Sequence, residues 1–410
     1  MPSYPVVSRY GGVAFLRSRS RKKYYIGTCL ITAFLILAES IIFDVTARAQ
    51  AEFQSPSVIL IERSTGTVIY EKNADERRSP ASITKIMTLL ITLDAVEEEK
   101  ARLEEEVIVS EHAASMGGSQ VYLAQGEVQT LDTMLKCIAV ASGNDASVAV
   151  AEHIAGSEEA FVKRMNEKAG ELGMTGTHFE DCCGLSDSED HYTTARDVAR
   201  MSQELITKHP EIYQYTKIWM EDITHTTRNG SSTFTLSSTN KLLKRYGPCT
   251  GLKTGSTQKA KYCISATASK DGIDLIAVVM GAPDPNLRFS EAQTLLTYGY
   301  GCCRLYQDED PLELPLLPVE NALEKEVELT YDGQFSYLDL ENLSFDGIER
   351  SLELPEVAVA PLREGEIAGY AVYTYQGAEL GRLPILYETS VEKAELGDWI
   401  KYVIQSLLFG

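Results

Sequence analysis

The stretch Pro80-Ala81-Ser82-Ile83-Thr84-Lys85-Ile86-Met87-Thr88 sets a serine one helical turn ahead of a lysine inside an apolar frame. Residues three apart share a helix face, so the Ser82 hydroxyl and the Lys85 amine can meet. An amine desolvated beside a hydroxyl can shed its proton at neutral pH and serve as the base that activates the nucleophile, giving serine acyl transfer without histidine. The pattern alone is weak, since Ser20 and Lys23 repeat it in a basic segment with no pocket in prospect.

Around this stretch the chain alternates helical and extended patterns. Residues 57–61 and 67–70 read as β-branched strands joined by the turn Arg63-Ser64-Thr65-Gly66. Pro80 suits a first helical turn, and Ile83, Ile86, Met87, Leu90 and Ile91 carry an apolar stripe to about Val96. Ser82 is thereby expected at the start of a buried helix, where free N–H groups and the positive dipole end face a developing oxyanion. Residues 131–140 and 149–154 are helical patterns separated by Ser142-Gly143-Asn144-Asp145. That turn reads as a helix cap on its own, and Ser238-Thr239-Asn240 repeats the Ser-x-Asn spacing. Helical patterns also cover 161–173 and 198–207, and Asn229-Gly230 marks a hairpin. Gly251-Leu252-Lys253-Thr254-Gly255-Ser256 leads into two strand-like runs, so Lys253 and Thr254 are expected at a strand end, placed to grip a carboxylate.

Composition narrows the function classes. The chain has 410 residues, 44% of them hydrophobic, and a formal charge of -21, which argues against nucleic acid as a partner. None of the six histidines forms a His-Glu-x-x-His pair, so no zinc hydrolase and no metal site are expected; His191 reads as a structural or rim residue. The eight cysteines include the adjacent pairs Cys182-Cys183 and Cys302-Cys303 and no Cys-x-x-Cys. They read as buried free thiols, which in an exported protein points to a reducing or anaerobic habitat. Export is expected because Arg17, Arg19, Arg21, Lys22 and Lys23 precede the apolar run 24–38, and Ala47-Arg48-Ala49 offers a signal-peptidase site; residues 1–49 form the leader.

Ser82-x-x-Lys85, Ser142-Gly143-Asn144 and Lys253-Thr254-Gly255, in this order, together resemble the penicillin-binding protein and serine β-lactamase group. Within it the likeness is to low-molecular-weight D-alanyl-D-alanine carboxypeptidases, and it spans roughly residues 54 to 305. Supporting contexts are Gly184-Leu185 with His191, Thr194-Ala195-Arg196-Asp197, Asn240-Lys241-Leu242-Leu243 and Arg288-Phe289. The sequence departs from the family at Ala260-Lys261, where Ala-Gly is usual, at Asp181, where asparagine is usual, and at Cys182-Cys183, where a proline often stands.

The resemblance implies an α/β (α+β) catalytic domain at 50–308, an antiparallel sheet flanked by helices, followed by a small all-β domain at 309–390. It implies Ser82 as nucleophile, Lys85 as base, and an oxyanion hole from the N–H groups of Ser82 and Ser256. Ser142 would relay the proton to the leaving amine with help from Lys253, and Asn144 would orient Lys85 and the substrate. Thr254, with Gly255 and Ser256 along the same strand and Arg288 beside it, would hold the terminal carboxylate. The implied reaction removes the terminal D-alanine from a peptidoglycan stem pentapeptide through an acyl-enzyme, with β-lactams as covalent inhibitors and no cofactor. The alternatives are a β-lactamase, an endopeptidase of the same group, or a silent wall-binding scaffold. Class A β-lactamases add a glutamate in a Glu-x-x-Leu-Asn setting, and no Leu-Asn pair occurs here.

Beyond 305 the pattern shifts to short β-like runs after the polar joint Asp308-Glu309-Asp310-Pro311. The tail 391–410, with Trp399, Ile400, Tyr402, Val403, Ile404 and Leu407, reads as an amphipathic helix suited to a membrane surface. The expected location is the outer face of the bacterial cytoplasmic membrane.

Overall fold

The computed structural model describes residues 53–227 and 230–409; the expected leader lies outside the described residues. In chain order the strands of the larger, N-terminal part are β1 (Ser57–Glu62), β2 (Val68–Lys72), β3 (Glu106–Ile108), β4 (Val128–Thr130), β5 (Met220–Thr227), β6 (Gly230–Ser237), β7 (Cys249–Thr257), β8 (Lys261–Lys270) and β9 (Ile273–Ala282). Five of them make an antiparallel sheet in the order β2-β1-β9-β8-β7, while β3-β4 and β5-β6 form separate two-stranded ribbons. The order leaves β7 at an edge, with one side of its backbone unpaired within the sheet.

Period-two alternation assigns the two faces of this sheet. Ile59 and Ile61 of β1, with Ile276, Val278 and Met280 of β9, join the large core that also holds Val198, Met201 and Leu205 of helix Ala195–Lys208. The intervening Leu60 and Leu275 meet helix Leu287–Cys302, which approaches so closely that a β-carbon on Gly299 would stand 2.7 Å from Leu275 and 2.9 Å from Leu60. A strand covered on both sides reads as a continuous apolar run, as residues 58–61 of β1 do, and every residue of β1 is buried. Cutting Ile59 or Leu60 back to alanine should cost about 2–5 kcal/mol.

Helix Lys85–Glu97 is buried from Lys85 to Ala95, its apolar residues spread around the axis with Lys85, Thr88, Thr92 and Asp94 buried among them. It does not begin at Ser82. A short 3-10 turn, Ala81–Thr84, carries the serine, and no side chain caps either segment. Lys253 also departs from expectation, lying in the middle of β7 opposite Ser265 and not at its end.

The C-terminal part has its own core, from Leu317 to Val391, beneath a four-stranded antiparallel sheet formed by residues 329–331, 378–387, 367–375 and 348–353. Strand Arg304–Gln307 pairs with Ser336–Asp339, so β-structure begins before the expected joint. Asp308 is no solvated linker residue: it is buried and accepts hydrogen bonds from Arg350 and the Tyr373 hydroxyl, each at 2.8 Å. Helix Leu396–Phe409 follows. Among the described residues no helix is long and apolar enough to cross a membrane.

Candidate active site

Four segments converge where the sequence placed its three motifs. On the 3-10 turn and the helix after it, Lys85 Nζ donates to Ser82 Oγ at 3.0 Å. The same amine donates to Asn144 Oδ1 at 2.6 Å and to the Cys183 carbonyl at 2.7 Å. Lys85 is fully buried, and none of these partners is a carboxylate. Burial therefore pushes the amine's pKa below that of an ordinary lysine, against a partial pull upward from Cys183, Cys182, Asp181 and Asp145.

Asn144 opens helix Asn144–Ala155, and Gly143 stands at the cap position without a side-chain cap bond. The glycine is required by proximity, since a β-carbon there would lie 2.8 Å from Asp145 Oδ1. Ser142, in the left-handed region at φ +63°, does not cap the helix; its hydroxyl accepts from Lys253 Nζ at 2.8 Å. Lys253 is also fully buried, and burial, then the charges of Lys85 and Arg288, push its pKa well down. A charge on Lys85 thus disfavours a charge on Lys253.

Strand β7 reaches the serine because Gly255 has no side chain. A β-carbon on it would stand 2.9 Å from the Ile83 nitrogen and 3.0 Å from the Ser82 nitrogen. The strand edge bearing Thr254, Gly255 and Ser256 thus lies along the N-terminal turn. Thr254 Oγ1 donates to Thr239 Oγ1 at 2.7 Å, which brings the second Ser-x-Asn segment to the same wall. Arg288 lies behind β7, where its Nη1 donates to the Gly255 carbonyl at 3.0 Å and the Cys263 carbonyl at 3.3 Å. Its Nε is buried and lacks a hydrogen-bond partner among the described residues.

Several supports escaped sequence reasoning because they act through the main chain. Asn144 Nδ2 donates to the Gly117 carbonyl, and its own N–H donates to the Ser119 carbonyl, both at 2.7 Å. That loop is tied down by Asp145, whose buried carboxylate accepts the N–H groups of Val121 and Leu123. The Gly117-Gly118 pair was the available signal. His191 is buried and acts structurally: its Nδ1 accepts the Glu180 N–H, leaving Nε2 as donor to Thr84 Oγ1 at 3.0 Å. Cys137, Cys182, Cys183, Cys249, Cys263 and Cys303 are free thiols, all of them buried. The one cluster of metal-ligating side chains found among the described residues, Asp94, Glu97 and His209, lies about 14 Å along the helix from Lys85. Asp94 there is already paired with Lys168 and Lys208.

Residues 44–284 match the family described as D-alanyl-D-alanine carboxypeptidase. Over 360 residues the chain is 39% identical to the D-alanyl-D-alanine carboxypeptidase DacF of Bacillus subtilis (strain 168), covering 85% of this chain and 91% of that protein. It is 30% identical over 403 residues to DacA of Escherichia coli (strain K12), covering 94% and 96%. The crystal structure of penicillin binding protein 5 from Haemophilus influenzae superposes with a TM-score of 0.70 at 26% identity, over 83% of this chain and 98% of that one. With a family match over more than half its length and relatives aligned nearly end to end, this chain belongs to the D-alanyl-D-alanine carboxypeptidase family.

Proposed function

We propose that the protein is a serine D-Ala-D-Ala carboxypeptidase acting on peptidoglycan stem peptides, with Ser82 as nucleophile and Lys85 as its base. The observation that carries this reading is the buried Lys85 amine, 3.0 Å from Ser82 Oγ and without a carboxylate partner. As Ser82 Oγ attacks the carbonyl of the penultimate D-alanine, its proton passes to Lys85 Nζ. The oxyanion forms between the N–H groups of Ser82 and Ser256; the close approach of Gly255, the residue before Ser256, to the Ser82 nitrogen supports this. Collapse expels D-alanine, whose amine takes its proton through Ser142, held by Lys253. Asn144 orients Lys85, while Thr254, Gly255 and Ser256 line the carboxylate end of the substrate, with Arg288 bracing that strand and adding positive charge. Water then hydrolyses the ester. A β-lactam forms the same acyl bond, but its leaving group stays attached.

The test is mass spectrometry of a pentapeptide ending in D-Ala-D-Ala after incubation with the full chain. Loss of one alanine is expected, together with fluorescent penicillin labelling that disappears in Ser82→Ala. A folded wild-type chain that releases no alanine overturns the reading; hydrolysis of penicillin with no action on the pentapeptide turns it into a β-lactamase.

The same proposal covers the chain's organisation: a leader at 1–49, a catalytic domain, a β-rich domain, and a terminal helix lying on the outer face of the cytoplasmic membrane. Supporting the last point, Leu396, Trp399, Ile400, Val403, Ile404 and Leu407 are exposed and recur at helical spacing.

A further inference from the structure

The Cys183 carbonyl accepts from Lys85 Nζ, and what holds that carbonyl in place is the turn after Phe179. Asp181 Oδ1 accepts the N–H of Cys183 at 2.8 Å and also that of Gly184, while Oδ2 accepts the N–H of Ser186 at 2.6 Å. Thr88 Oγ1 donates to the Cys182 carbonyl at 2.5 Å, fastening the turn to the lysine's own helix. On its other flank the turn presses on the nucleophile segment. Gly184 has φ +78°, and a β-carbon there would stand 1.8 Å from the Ala81 carbonyl oxygen and 2.9 Å from Thr84 Oγ1. The peptide that grips the amine is thus packed against Ala81 and Thr84 and tethered from behind by Asp181, while Glu158 accepts the neighbouring Cys182 N–H at 3.2 Å.

We infer that Asp181 is a positioning residue for acyl transfer: by binding three N–H groups of the 183–186 turn it aims the Cys183 carbonyl at Lys85 Nζ, and it places a negative charge behind that amine. The inference deepens the reading of Ser82 and Lys85 given above and rests on it. Asp181 itself touches no reacting atom. Its charge is retained because burial, which would raise its pKa, is outweighed by His191 and by the N–H groups of Ser186, Gly184 and Cys183. The other charged or titratable groups around the pair include Asp145 on helix Asn144–Ala155, Lys253 on β7, Cys182 and Cys183 in the turn, His191, and Glu158, whose carboxylate accepts the Cys182 N–H.

Two variants of the full chain separate geometry from charge. Asp181→Ala removes every acceptor, whereas Asp181→Asn keeps an oxygen for Cys183 and Gly184 and removes the charge. The rate constant for penicillin acylation is measured across pH, with thermal unfolding alongside. Asp181→Ala should acylate about 100-fold more slowly, the loss expected when a reacting group is misplaced by about 1 Å. Asp181→Asn should stay within about tenfold of wild type. Its rate should begin to rise at lower pH, because removing the anion disfavours the Lys85 ammonium. Lower melting temperatures with wild-type acylation rates and an unmoved acid limb would reduce Asp181 to a structural residue and overturn the inference. If Asp181→Ala does not fold, the acid limb of Asp181→Asn decides alone. A folded wild type that is not acylated at Ser82 removes the underlying reading as well, whereas acylated wild type with unaffected variants removes only this inference.

Discussion

Thr254 Oγ1 gives its single proton to Thr239 Oγ1, 2.7 Å away, so the hydroxyl proposed to meet the substrate carboxylate is already engaged before substrate arrives. Thr239 then holds the free donor of the pair. Thr239→Val should raise KM for a D-Ala-D-Ala pentapeptide about 3- to 10-fold, the worth of one net hydrogen bond, with kcat little changed. Thr239→Ser should restore it. An unchanged KM in the valine variant would show that Thr254 works alone.

Lys85 links rate and stability to pH in the same direction. Its folded pKa lies below the ordinary 10.5, so the neutral amine is present at a pH where a free lysine is still charged. Acylation should therefore rise with pH through the folded pKa. Between that value and 10.5 the unfolded chain binds the extra proton, so this group's contribution to stability is greatest above 10.5 and is lost as pH falls through the folded pKa. Penicillin acylation and urea unfolding over the same pH series should show both trends.

His191 behaves likewise at lower pH. Burial lowers its pKa below 6.5, against Asp181 and Glu180, and its Nδ1 must stay unprotonated to accept the Glu180 N–H. The stability it contributes is present above 6.5 and lost as pH falls through the folded value. His191→Gln should flatten this acid loss in unfolding curves and leave acylation at neutral pH within about threefold, since the ring touches no reacting atom. A collapse of acylation with intact folding would instead mark His191 as a participant.

Lys261 stands in the left-handed region at φ +57°, at the β7–β8 turn opposite Thr257. A side chain is strained there by about 1–2 kcal/mol, partly offset by the greater unfolded-state entropy of glycine. Lys261→Gly should stabilise the chain by about 0.5 kcal/mol, read as a higher urea midpoint at constant slope.

Deletion of the terminal helix tests membrane attachment, and the cut must respect the β-rich core. Val391 is buried and paired with Leu362, so the truncation should begin at Leu396. Loss of vesicle binding with unchanged penicillin acylation is the expected result. Binding that survives the deletion would place the membrane contact elsewhere.

The sequence showed which side chains the fold brings together and hardly any of the main-chain contacts that hold them. Ser82, Lys85, Ser142, Asn144 and Lys253 could be named because hydroxyls, amines and amides at those spacings have few bland readings once three motifs occur in order. The carbonyls of Cys183, Gly117 and Ser119 leave no mark in residue types, and so the second layer around Lys85 and Asn144 was missed. Period-two runs gave the sheet strands because burial on one or both faces imposes them. The extent of β7 was harder to read, since its two glycines, Gly251 and Gly255, look like breaks. At Gly255 the glycine instead lets the strand close on Ser82. The polar run at Asp308 misled for the opposite reason, because a buried carboxylate with an arginine and a tyrosine as partners looks in sequence like a linker.

The grip on Lys85 by a main-chain oxygen has a consequence for how this enzyme can evolve. Position 183 contributes to that grip an atom that every amino acid possesses, so its buried side chain answers to the packing of the core and not to the hydrogen bond. Selection instead falls on its neighbours, the acceptor at 181 that ties the turn and the glycine at 184 that lets it fit. A column of aligned sequences can therefore vary among small buried residues at the very place where the Lys85 amine is held.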